Sequence, residues 1–143
     1  MGHRPQPGEP LKKLLRLRWV WLLLWLVGML FPLGAMRRVS YAWQAAIDNS
    51  FSGEWRHILM HILLFAGLII LLYALFNWSW SWKGWLAAGL VVLAVGSVQE
   101  LIQALTGASA ATWSGAIFDL GIDLIGGISG VGVWRMIRKV RRD

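Results

Sequence analysis

Cysteine is absent from the 143-residue chain, which excludes a disulfide framework, a thiolate metal site and a cysteine nucleophile. Charge is scarce: 15% of residues are Asp, Glu, Lys or Arg, against 57% hydrophobic, where a soluble domain carries about a quarter charged. Mean hydropathy is +0.57. An ordinary water-soluble domain is thereby excluded, and one small integral membrane domain is expected. Short catalytic motifs are missing as well. There is no G-x-S-x-G elbow for a serine nucleophile, no H-E-x-x-H zinc helix, and no Gly-rich phosphate loop ending in Lys that would indicate nucleotide use.

What the chain does have is apolar runs. "WVWLLLWLVGMLFPLGA", Trp19 to Ala35, follows a basic segment and is long enough to cross most of a hydrocarbon core of about 30 Å. It is expected to be a retained anchor rather than a cleaved signal peptide, because Leu33 stands where cleavage wants a small residue. "HILMHILLFAGLIILLYALF" (His57 to Phe76), "WLAAGLVVLAVGSVQELIQAL" (Trp85 to Leu105) and "SGAIFDLGIDLIGGISGVGVW" (Ser114 to Trp134) supply three further spans. The polar connector Met36 to Arg56, with a short amphipathic piece around Tyr41 to Ile47, suits the membrane surface. The expected fold is all-α and polytopic, with four transmembrane helices in a domain over residues 19–134. Basic tails lie at 1–18 and 135–143.

The net charge of +7 raises nucleic acid as a partner, but its distribution argues for membrane lipids instead. Cations bracket the hydrophobic domain, where they set topology and meet anionic headgroups. With both termini cytoplasmic, Arg4, Lys12, Lys13, Arg16, Arg18, Lys83, Arg135, Arg138, Lys139, Arg141 and Arg142 lie inside, and Arg37, Arg38 and Arg56 outside. Indole favours the headgroup boundary. Trp19, Trp21, Trp78, Trp80, Trp82, Trp85 and Trp134 would then form an inner belt and Trp43, Trp55 and Trp113 an outer one. An inner (plasma) membrane location follows.

This topology brings polar residues of three helices to one layer in the outer half of the bilayer. His57 and His61, four apart, begin the second span. Glu100 lies roughly 22 Å from the inner end of the third, three residues before Gln103. Asp119 and Asp123, again four apart, lie roughly 8 and 14 Å below the start of the fourth. An ionised carboxylate at mid-membrane costs about 2.5–3.5 kcal/mol on insertion scales, so these groups should face the bundle interior or a watery cavity. Gly126 and Gly130 form a G-x-x-x-G pair suited to close helix packing within the domain.

Several chemistries fit such a layer. Imidazole and carboxylate at four-residue spacing suit Zn, Fe or Mn, although no motif specifies a metal and no cofactor is required. A metal-free acid/base pair of His61 with Glu100 or Asp119 would serve a membrane hydrolase or transferase. A pocket for the polar part of an amphiphile needs only these donors and acceptors, and a structural cluster fixing helix register needs less still.

The segments "HILMHILLFAGL", "QELIQAL" and "FDLGIDLIGGISG" resemble the three signatures of the VanZ-like membrane family: a His with an aromatic four residues on, then Glu-x-x-Gln, then Asp-x-x-x-Asn-x-x-Gly-x-x-x-Gly. They fall here at His61 with Phe65, at Glu100 with Gln103, and at Asp119, Asp123, Gly126 and Gly130. Two positions depart from the pattern. Asp123 stands where the family has Asn, and the loop before the last helix lacks the family's Arg. The resemblance implies a cell-envelope role of the kind seen in teicoplanin resistance. The expectation it favours is a pocket of His57, His61, Glu100, Gln103, Asp119 and Asp123 that binds an envelope lipid or similar amphiphile. The alternatives are an enzyme using His61 with Glu100, Asp119 and Asp123, with or without metal, and a structural or partner membrane protein.

Overall fold

A computed structural model describes residues 9–31, 40, 42, 45, 53–78, 81–106 and 112–141. Four helices account for nearly all of them: α1 (Glu9–Leu30), α2 (Glu54–Phe76), α3 (Trp82–Thr106) and α4 (Trp113–Val140). The expected fold class of an all-α membrane bundle is seen. Of the four expected spans, α2, α3 and α4 are long and apolar enough to cross a membrane. The apolar part of α1 is shorter, Leu17–Leu30, or about 21 Å at 1.5 Å per residue. The rest of the expected first span, residues 32–35, lies outside the described residues, as does the amphipathic piece around Tyr41 to Ile47 apart from Ala42 and Ala45.

The contacts between helices give their directions. His57 meets Asp119 and His61 meets Asp123, both at a sequence separation of 62, so α2 and α4 run parallel. A Cβ on Gly96 would touch Asp123, and one on Gly127 would touch Val92, so α3 runs antiparallel to α4. Trp25 Nε1 donates to Leu64 O at 2.9 Å and Arg18 Nη1 to Ala74 O at 3.1 Å, which sets α1 antiparallel to α2. The start of the apolar part of α1 and the end of α4 consequently meet the same end of α2.

Two glycines of α4 allow its closest approach to α2. A Cβ at Gly126 would lie 2.8 Å from Ile62 O, and one at Gly130 2.5 Å from Ala66 O. Both obstacles are backbone, so neither can swing away. Below this contact the core is apolar and tight: Phe65, Leu68, Ile69, Val92 and Val131 are each at most 1% exposed. The outward faces are apolar too, with Leu59, Leu63, Leu90, Ile117 and Ile125 all more than half exposed. In water such faces would drive aggregation, whereas in a bilayer they meet acyl chains.

Trp25 sits mid-run rather than at a membrane boundary. Its ring lies over Gly67, where a Cβ would come within 2.3 Å of Cζ2. At the far end of α2, Asn77 takes a left-handed conformation (φ 52°) as the C-cap, and the Arg138 guanidinium donates to its side-chain oxygen. With Arg18 on Ala74 O, two cations meet the negative end of the α2 dipole.

Replacing Gly130 with Ala should force α2 and α4 apart. Overpacking of this kind costs about 1–3 kcal/mol, so the thermal midpoint in detergent should fall for Gly130→Ala. The same change at Gly132, which has open space around it, should leave the midpoint unchanged or slightly raised.

Candidate metal centre

The first turns of α2 and α4 lie side by side because Gly126 and Gly130 draw the two helices together further down. Parallel helices at this separation present i, i+4 residues in matching rows. His57 and His61 on one row face Asp119 and Asp123 on the other, and the result is two stacked His–Asp pairs.

The upper pair is at the rim. His57 Nε2 stands 3.1 Å from Asp119 Oδ1, with side chains 43% and 16% exposed. The lower pair is sealed: His61 Nδ1 stands 2.7 Å from Asp123 Oδ1, with side chains 6% and 2% exposed. A carboxylate accepts only, so the ring N–H donates and Nε2 of His61 is the nitrogen left for another partner. The two imidazoles lie one above the other, centroids 4.4 Å apart and tilted by 50°.

The helix α3 closes the third side. Glu100, half-buried, lies within electrostatic reach of Asp119, His61, Asp123 and His57. Gln99, one residue before, is buried, and its Oε1 has no hydrogen-bond partner in the protein.

Ligand atoms of His57, His61 and Asp119 all lie within 4.8 Å of one another. The 3.1 Å between His57 Nε2 and Asp119 Oδ1 is a hydrogen bond. It also falls near the edge of about 3.3 Å between two ligands of a tetrahedral ion with bonds of about 2.0–2.1 Å. Closing the longest separation onto one ion needs side-chain adjustment on the order of an ångström. Two imidazoles and a carboxylate are donors that suit Zn, Fe or Mn.

Of the residues singled out in the sequence, the structure brings together His57, His61, Glu100, Asp119 and Asp123. Gln103 is half-buried on α3, and its backbone carbonyl accepts from Thr106 Oγ1 at 3.3 Å. Gly126 and Gly130 lie against α2 below the site rather than in it. Gly96 was not singled out. It sits beneath Asp123, where a Cβ would come 2.7 Å from Oδ2. The available signal was its spacing of four from Glu100 on the same helix face.

Comparisons with protein-family models, curated proteins and solved structures find no match for the chain.

A ligand that binds only the folded state stabilises it by about 2.7 kcal/mol at one hundred times its dissociation constant. Zinc or manganese added to chelator-treated protein should therefore raise the thermal midpoint. The rise should vanish in the double variant His61→Ala with Asp119→Asn. An equal rise in that variant would place the binding elsewhere.

Proposed function

We propose that this multi-pass membrane protein holds a divalent transition metal on His57, His61 and Asp119, and is a membrane-embedded hydrolase or transferase that uses it. The observation that carries the reading is the convergence of those three ligand atoms, from two helices, within 4.8 Å. Three protein ligands leave a coordination position open, as in catalytic rather than structural sites. A metal so held polarises a carbonyl or phosphoryl oxygen, or makes bound water nucleophilic at neutral pH.

The surrounding residues have matching roles. Glu100, on a different helix from all three ligands and within electrostatic reach of Asp119, would take or give a proton beside the metal. The rim exposure of His57 leaves the site reachable by water and by a substrate's polar group, while the core from Phe65 downward excludes both. Gln99 Oε1 offers an acceptor near the same level.

In the topology expected from the sequence, eleven cations inside against three outside support a cytoplasmic placement of both termini and an outer-face site in a plasma membrane. The envelope-lipid pocket implied by the VanZ-like resemblance would use the same residues. The imidazole pair within coordination distance of Asp119 favours the metal reading over it, and an amphiphile then enters as a substrate rather than as a resident ligand.

Elemental analysis of protein purified without chelator tests the reading. About one transition-metal ion per chain is expected, falling well below that in His61→Ala and Asp119→Ala. Glu100→Gln, which alters the proton-transfer group and no ligand, should retain the metal. A metal-free wild-type protein that also fails to take up added zinc or manganese would contradict the proposal. Reporter fusions after Leu105 and after residue 141 should report opposite faces, the second cytoplasmic.

A further inference from the structure

We propose that Asp123 is a positioning residue for His61, and that Gly96 of α3 is bare so that this carboxylate can occupy its place. The inference rests on the metal reading and adds what holds the deeper ligand still.

Asp123 is 1% exposed, and its Oδ1 is 2.7 Å from His61 Nδ1. It is not one of the three groups whose ligand atoms converge. A carboxylate bonded to the far nitrogen of a metal-binding imidazole fixes the tautomer and the ring orientation and raises the basicity of the nitrogen that ligates. With Nδ1 taken by Asp123, Nε2 is the ligating atom of His61.

The second oxygen reports on α3. A Cβ at position 96 would lie 2.7 Å from Asp123 Oδ2 and 2.8 Å from Leu120 Cδ2. Leu120 can move aside at its flexible end. Asp123 cannot do so without lengthening its bond to His61, since its other oxygen is already committed there. Gly89 of the same helix carries no such demand, with nothing within 4 Å. The three helices thus meet at one point, where α4 supplies the carboxylate, α2 the imidazole and α3 the vacancy.

The test compares metal affinity with the stability of the metal-free protein in Asp123→Leu, Asp123→Asn and Gly96→Ala, using Zn2+ competition against a chromophoric chelator and the visible spectrum of the Co2+ form. Loss of an outer-shell partner of this type weakens binding by about 10–100-fold. That loss is expected for Asp123→Leu, with a smaller one for Asp123→Asn, whose amide oxygen still accepts. Gly96→Ala should weaken binding and shift the Co2+ bands although it touches no ligand. The thermal midpoints of the metal-free variants should not fall in parallel. Unchanged affinity in Asp123→Leu and Gly96→Ala would overturn the positioning role, as would affinity losses that merely track lost stability. Should Asp123→Leu fail to fold, the other two variants make the same comparison. A wild-type protein that binds no metal overturns the metal reading itself, a result distinct from either.

Discussion

The pairing of two histidines on α2 with two aspartates on α4 is the constraint to which the rest of the bundle conforms. Asp123 lies at a depth where an unpaired carboxylate would cost several kcal/mol, on the order expected for a charge stripped of water. His61 at 2.7 Å answers that cost, but only if the helices are parallel, in register and close. Gly126 and Gly130 give the closeness by setting the α4 backbone against Ile62 and Ala66. Gly96 completes the fit from α3. Each of these small residues matters because of what it admits.

The bundle is divided along its length. One end carries titratable groups from three helices, with exposure falling from His57 at the rim to Asp123 inside. Beyond Asp123 come Phe65, Leu68, Ile69, Val92 and Val131, all at most 1% exposed. At the opposite end Arg18 and Arg138 hold the C-terminal end of α2. On the row of α2 that carries the histidines, Phe65 and Ile69 follow His61, and the next polar atom is the unpartnered hydroxyl of the buried Tyr73. That arrangement suits chemistry at one face of the membrane better than passage across it.

Much of this was legible in the sequence, for physical reasons that differ by element. α2, α3 and α4 are apolar over a length the bilayer dictates, so their existence follows from composition. The equal i, i+4 spacing of His57/His61 and Asp119/Asp123 already suggests facing rows, because two intervening turns return the chain to the same direction. The pairing of each His with its Asp was not legible. It depends on the axial offset of α4 against α2, which backbone contacts at Gly126 and Gly130 decide. Trp25 has the composition of a membrane-boundary residue but packs over Gly67, a contact visible only once α1 is laid against α2.

X-ray absorption at the metal edge of the zinc-loaded protein tests most directly whether one ion is held between α2 and α4, as proposed. The predicted first shell contains two imidazole nitrogens at about 2.0–2.1 Å with the remainder oxygen, including one carboxylate. In His57→Ala or His61→Ala one imidazole should be lost. A shell of oxygen alone, or one unchanged by removing either histidine, would contradict the proposed centre.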